Sequence, residues 1–111
     1  MKKIEAIIRP ERLDAVRKAL EGYGYPGITI SEVRGHGKQH ETQQWRGQEY
    51  TVEFLNRLKI EIIVLDRDVS RMLNAIVGSA RTGETGDGKI FVLPVEDAVR
   101  IRTGDEGENA I

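Results

Sequence analysis

An α+β sandwich, four antiparallel strands with two helices on one face, is the fold the sequence predicts, and three observations predict it. Two similar stretches, KIEAII at Lys3 to Ile8 and KIEIIV at Lys59 to Val64, begin half a chain apart. Each is followed by an amphipathic helical pattern. Each helix is followed by a second strand pattern, so the order is β-α-β twice over, the split βαβ or ferredoxin-like arrangement. Two similar halves, rather than a short-period repeat array, account for the likeness.

In the two KIE strands, Ile4, Ala6, Ile8 and Ile60, Ile62, Val64 form wholly apolar rows. They belong on the helix side, because successive strand side chains point to opposite faces. The opposite rows, Lys3, Glu5, Ile7 and Lys59, Glu61, Ile63, are mixed. A half-apolar open sheet face is more often covered by another subunit than left in water, so a homo-oligomer is expected. In the first helix Pro10 suits an early position, Leu13, Val16, Leu20 and Tyr23 recur at three- and four-residue spacing, and Gly22 and Gly24 end it. ITISEVRG, Ile28 to Gly35, is the second strand.

From Glu49 to Val64 the chain reads as nearly continuous strand, about three times the usual length of 5 to 6 residues. It is expected to project beyond the sheet as half of an extended hairpin. The tip, HGKQHETQQWRGQ from His36 to Gln48, is polar, too long for a tight turn and without an apolar anchoring pattern. Such loops are mobile or functional. Asp66 or Asp68 is placed to cap the second helix, and Val69, Met72, Leu73, Ile76 and Ala80 make its apolar stripe. KIFVLP, Lys89 to Pro94, is the last strand, and the acidic TGDEGENAI at 103–111 reads as a surface tail.

The 111 residues make a single domain, 1–111, with one core. A net charge of −1 argues against a chain built mainly to hold nucleic acid or anionic membrane, so any phosphate binding must be local. The absence of cysteine excludes disulfides and thiol catalysis. Glu5 and Arg9 interrupt the N-terminal apolar run, which makes a signal peptide a poor reading. A cytoplasmic location is expected.

The stretch RTGETGDGKIFVLPVEDAVRIRTG, Arg81 to Gly104, nearly spells a Walker A loop at Gly83 to Lys89, yet Ile90 stands where that motif needs Ser or Thr. A helix precedes the loop and a strand follows, the reverse of the P-loop order, so a P-loop NTPase is rejected. The ingredients of anion binding remain: Gly83, Gly86 and Gly88 let backbone N–H groups turn inward, and Lys89 adds charge. Glycines serving only tight turning are an equal alternative that spacing leaves open. Arg100 and Arg102, read as strand residues, point to one side and can converge on an anion, though a solvated arginine pair has the same pattern. RGHGKQ, Arg34 to Gln39, is a third basic, glycine-bearing segment. Three such segments in a chain of neutral balance suggest a polyphosphate ligand.

No nucleophile or metal centre is proposed by the pattern, which lacks H-E-x-x-H and G-x-S-x-G. Asp87 beside Lys89 reads either as an acid-base pair or as a turn stabiliser. His36 and His40 read either as metal ligands or as solvated side chains. Aromatics at 5%, with Phe91, Tyr50 and Phe54 but no stacking array, argue against an RNA-binding sheet.

From MKKIEAIIRP to the final NAI the sequence resembles the PII signal-transduction proteins of the GlnB/GlnK type. TGETGDGKIFV, Thr82 to Val92, is similar to their C-terminal signature, a Thr or Ser, three residues, then G-D-G-K-I-F. RIRTG fits its position too, and WRGQEYTVEF lies where that family's large T-loop rejoins the sheet. The resemblance implies a homotrimer of ferredoxin-like subunits, with ATP or ADP in the clefts between neighbours and a T-loop at about 36–54. Carried over by motif, Gly86, Asp87, Gly88 and Lys89 of the B-loop and Arg100 and Arg102 of the C-loop would hold phosphates. Gly35, Gly37, Lys38 and Gln39 would contribute from the neighbouring subunit. Ile7, Glu61 and Val64 would flank the adenine, with Thr29 nearby. With Mg-ATP, 2-oxoglutarate would be bound by Gly37, Lys38, Gln39 and Arg57, Gln39 being the protein ligand of Mg2+. The T-loop would be the output device, Trp45, Arg46 and Gly47 docking on an ammonium transporter or a nitrogen-assimilation enzyme, and Tyr50 falls where the family is modified.

Several positions depart from the family pattern: Arg57 replaces a lysine, Trp45 a tyrosine, Gln48 a small residue and His36 an aromatic, and the loop is one residue short around His40 to Glu41. The implied function is a nitrogen- and energy-status sensor, regulatory rather than catalytic. A paralogue sensing adenine nucleotides with another metabolite and a slow ATPase using Asp87 and Lys89 are the alternatives.

Overall fold

Apolar and charged residues alternate along the two KIE strands, so one sheet face must be covered, and the helices between the strands cover it. A computed structural model of the chain describes the backbone at residues 1–45 and 48–111 and the side chains outside 36–54. Its elements are β1 (Lys2–Ile8), a 3-10 turn (Pro10–Arg12), α1 (Leu13–Leu20), β2 (Ile28–Trp45), β3 (Gln48–Val64), a 3-10 turn (Asp66–Asp68), α2 (Val69–Ala80), β4 (Lys89–Pro94) and a last 3-10 turn (Gly107–Ala110). The strands lie in the order β2-β3-β1-β4, every pair antiparallel. This is the expected ferredoxin-like α+β sandwich.

The predicted apolar rows of β1 and β3 are all buried, and Val16 and Leu20 of α1 with Met72, Ile76 and Ala80 of α2 close over them. Each fully buried Ile or Met contributes about 1.5–3 kcal/mol relative to exposure, so this one face holds the fold. On the open face Lys3 pairs with Glu5 at 2.9 Å and Glu61 at 3.0 Å. Hydrogen bonds to the two carboxylates raise the Lys3 pKa, and the bond from Lys3 lowers that of Glu61.

Three expectations need correction. Of the stretch 36–48, read from the sequence as a polar tip, the described residues 36–45 and Gln48 are strand: β2 runs on to Trp45, and its ladder with β3 extends from Ile28↔Ile62 to Trp45↔Gln48, with a register slip between His36 and Glu41. Two extended strands satisfy each other's backbone donors and acceptors without an apolar side. The helix-capping role of Asp66 and Asp68 is absent, since neither 3-10 turn nor α2 has a side-chain cap there. Asp66 instead meets the N-terminal ammonium at 3.0 Å, and buried Asp68 accepts from the Tyr25 hydroxyl and from Arg71. Arg100 and Arg102 do not share a strand: the chain turns at 101–103, and Gly104 N–H donates to the Arg100 carbonyl at 2.7 Å. The C-terminal segment lies largely exposed at the surface and is tied down there, since Val99 bridges Glu106 and Gly107 N–H donates to the Ala98 carbonyl at 2.9 Å.

One helix end is served from a distance. The last turn of α2 has no basic residue of its own, and the Arg12 guanidinium supplies one, its Nε donating to the Ser79 carbonyl at 3.0 Å. A cation there satisfies a terminal carbonyl and complements the helix dipole. Among the described residues no helix is long and apolar enough to cross a membrane.

Candidate functional site

The connection from α2 to β4, residues 81–88, must pass over the end of β1, and its glycines make that path possible. Gly83, Gly86 and Gly88 have φ of 90°, 96° and 103°. Gly88 is the tightest: a Cβ there would lie 1.7 Å from the Ile7 carbonyl oxygen, so only glycine lets the loop rest on β1. Both turning and close approach therefore require the glycine spacing read from the sequence.

Asp87 holds the loop's shape. Its carboxylate accepts from the Thr82 hydroxyl, from Thr82 N–H at 2.8 Å, from Gly83 N–H at 2.9 Å and from Arg9 Nε at 3.0 Å. The Thr82 hydroxyl bond leads these contacts in holding the carboxyl well below the usual carboxylate range. Of the two sequence readings, the turn stabiliser is the one this geometry describes. A carboxylate so strongly favoured as the anion is a poor proton acceptor. Arg9 also donates through Nη2 to the Thr85 carbonyl at 2.9 Å. From the other side Arg57 Nη2 donates to the Gly86 carbonyl at 3.1 Å, and its Nη1 to the Asn56 carbonyl at 2.8 Å.

Between this loop, the end of β1 and the base of the β2–β3 hairpin lies a cleft of ≈ 1000 Å³. It brings together the predicted residues Ile7, Gly35, Arg57, Gly86, Asp87, Gly88 and Lys89. The cleft is cationic. Arg34, Arg57, Lys59 and Lys89 line it against three acids, Glu5, Glu84 and Asp87, of which Glu5 is paired with Lys3 and Asp87 with Arg9. Gly35 lies in the same cleft as the B-loop of its own chain: the register Gly35↔Leu55 and Ile7↔Lys59 puts both at one end of the sheet.

The other predicted residues lie elsewhere. Thr29 and Glu61 face each other across β2 and β3, farther along the sheet. Val64 is fully buried in the core of this chain, side chain and main chain alike. Val64 and Pro94 both pair with Lys2, whereas Lys89 pairs with Ile7. Arg100 and Arg102, beyond Pro94, thus follow the end of β4 remote from the B-loop. Five residues of strand separate the two ends, roughly 17 Å at ~3.3 Å per residue. Arg100 there faces Asp105 at 3.7 Å. Arg46 and Gly47 lie outside the described residues, as do the side chains of His36, Lys38, Gln39, His40, Trp45 and Tyr50 and any contact of Gly37. Among the described residues no cluster of His, Cys, Asp or Glu could hold a metal ion.

Sequence reasoning missed Arg9, Val33, Leu55, Lys59 and Phe91 as site residues. Val33, Leu55, Lys59 and Phe91 could have been found from strand parity, since all fall on the open face with Ile7 once the register is known. Arg9 carries no such signal, because its partner Asp87 is 78 residues away.

Residues 1–105 match the family model described as nitrogen regulatory protein P-II. The chain is 56% identical to the nitrogen regulatory protein P-II of Microchaete diplosiphon, 56% to that of Synechocystis sp. and 54% to that of Pasteurella multocida, in each case covering 100% of both chains. The alignments span 112 positions against 111 residues, so at least one position has no counterpart in this chain. Its relatives are named as regulatory proteins, not as enzymes. The glycine-shaped loop, the sheet that supports it and these full-length likenesses agree: the chain belongs to the nitrogen regulatory protein P-II family.

Proposed function

We propose that the protein is a cytoplasmic sensor that binds ATP or ADP between copies of itself, takes 2-oxoglutarate together with Mg-ATP, and reports the result through the β2–β3 hairpin to an ammonium transporter or a nitrogen-assimilation enzyme. The observation that carries this reading is the cleft, where four cationic side chains outnumber three acids and the B-loop offers backbone N–H groups beside Lys89, with Asp87 compensated by Arg9. Backbone donors and a lysine in such a nest suit a polyphosphate. Arg100 and Arg102 follow β4 at its end remote from the B-loop, so in this reading the C-loop would meet the B-loop of a second copy. Exposed Phe91, Val92 and Leu93 on edge strand β4 support assembly, since an uncovered apolar edge invites a partner. A homotrimer is the arrangement the family resemblance implies.

ATP and ADP would compete for the B-loop. Gln39 would hold the magnesium ion, which would supply positive charge beside the anionic ligands, and Arg57 would face the distal carboxylate. Ligand state would select the hairpin's conformation, with Trp45, Arg46 and Gly47 as the docking segment and Tyr50 a candidate for modification. The test is calorimetric titration with ATP, then with 2-oxoglutarate with and without Mg-ATP, alongside the mass of the particle in solution. Saturable ATP binding and a trimer mass support the reading, and 2-oxoglutarate binding that requires Mg-ATP completes it. Absence of nucleotide binding sinks it.

One observation favours a second reading, a paralogue that senses nucleotides with another metabolite. The Arg57 guanidinium is engaged with the Gly86 carbonyl, and Arg and Lys are not interchangeable at a carboxylate site. ATP binding with no response to 2-oxoglutarate selects this paralogue.

A further inference from the structure

A carboxylate in the middle of an anion-binding loop is a contradiction that the ligand would feel. Asp87 sits between Gly86 and Gly88, on the wall of the cleft proposed to hold phosphates. At the few-ångström separations of a cleft an uncompensated carboxylate repels a polyphosphate, and the repulsion grows with each phosphate charge. The structure contains a compensation that is not part of the loop. Arg9, the first residue beyond β1, has only 13% of its side chain exposed, donates to the Asp87 carboxylate at 3.0 Å and reaches the Thr85 carbonyl at 2.9 Å. Its neighbour on the strand, Ile7, supplies the carbonyl against which Gly88 rests. One short segment, Ile7 to Arg9, thus sets both the height of the loop and its charge.

We propose that Arg9 is the positioning residue of the B-loop: it neutralises Asp87 and fixes it on the side of Thr82 and Gly83, so that between Gly86 and Lys89 the cleft meets backbone N–H groups and Lys89 instead of an uncompensated Asp87. The role rests on the nucleotide reading above. It is separable from a merely structural one, because loss of a scaffold weakens all ligands alike, whereas loss of charge compensation weakens ATP more than ADP.

The experiment is calorimetry with ATP and with ADP, without magnesium, on the wild type and on Arg9→Met, Asp87→Asn, the double variant and Arg9→Lys, each checked for fold by circular dichroism. Arg9→Met is expected to lose about tenfold or more in ATP affinity, as exposure of one unit charge at close range predicts, and less for ADP. The double variant is expected to regain ATP affinity relative to Arg9→Met, and Arg9→Lys to keep the wild-type ratio of ATP to ADP affinity. Asp87→Asn alone is expected to shift that ratio toward ATP, which keeps the idea testable if Arg9→Met fails to fold. Equal losses for ATP and ADP without recovery in the double variant, or an Asp87→Asn ratio that moves toward ADP, overturns the proposal. A wild type that binds neither nucleotide overturns the functional reading itself and this role with it, whereas a binding wild type matched by Arg9→Met removes only the role of Arg9.

Discussion

Gly88→Ala tests the packing of the B-loop on β1 more sharply than any other single change. The new Cβ would sit 1.7 Å from the Ile7 carbonyl oxygen and 2.8 Å from the Ile7 carbonyl carbon, both main-chain atoms. No rotamer relieves this. β1 is paired on both sides, with β3 and with β4, so the loop must yield and the strand stays. Restoring even a tight carbon–oxygen contact requires a displacement of roughly 1.3 Å, well beyond the slack of a packed contact. Remaining at φ 103° would add strain of about 1–3 kcal/mol for a residue with a side chain. The loop's exposed outer turn limits the cost to folding, so melting is expected to fall by only about 4 °C or a little more per kcal/mol of retained strain. Binding suffers more. One misaligned N–H bond to a charged phosphate is worth about 1.5–3 kcal/mol, tenfold or more in affinity. Thermal unfolding and ATP calorimetry on the same sample measure both effects. An Ala variant that melts and binds as the wild type does would show that the loop does not rest on Ile7, and the account of the cleft would fall.

Other changes probe the scaffold. Ile76→Ala, at a fully buried site on α2, is expected to cost about 2–5 kcal/mol, read as a lower urea midpoint with unchanged slope. Tyr25→Phe removes a hydroxyl that donates to Asp68 and accepts Leu65 N–H at 3.1 Å, and is expected to cost about 1–3 kcal/mol. An unchanged midpoint there would mean the bridge is idle. The Asp68 carboxyl lies below its ordinary range, through the Tyr25 bond first and then Arg71. A carboxylate depressed by folding adds stability above its unfolded-state pKa of about 4 and loses it as pH falls below that value. Urea midpoints should therefore drop between pH 5 and the acid limit, and more shallowly in Asp68→Asn; parallel curves would refute the assignment.

Much of the fold could be read because its signals are local. Alternation along the KIE strands names Ile4, Ala6, Ile8, Ile60, Ile62 and Val64 as core, and all six are buried. The reach of β2 could not be read in the same way, since residues 36–45 carry no apolar row and form strand by pairing with β3. The same limit governs the site. Glycine spacing located the B-loop, but whether Gly88 turned freely or rested on another strand depended on Ile7, which is distant in sequence. The alternation of Arg100 and Arg102 outweighed the turn chemistry of Thr103-Gly104-Asp105, and the turn prevailed: Gly104 has φ of 75°, and Asp105 accepts from Arg100 N–H at 2.8 Å.

The acids show why. Asp66, Asp68 and Asp87 stand beside turns, where a short polar side chain commonly serves its own backbone. Asp87 does so only in part, and Asp66 and Asp68 do not cap their helix. Each carboxylate also meets a cation or hydroxyl from a distant part of the chain, the N-terminal ammonium for Asp66, Tyr25 for Asp68 beside its local partner Arg71, and Arg9 for Asp87. Propensity ranks the local partner first because it is always near. Tertiary structure can supply a charged partner, and charge-assisted bonds are roughly twice as strong as neutral ones. In the B-loop this difference sets the loop's shape, and under the proposed nucleotide reading it would also lower the charge that Asp87 presents to a phosphate.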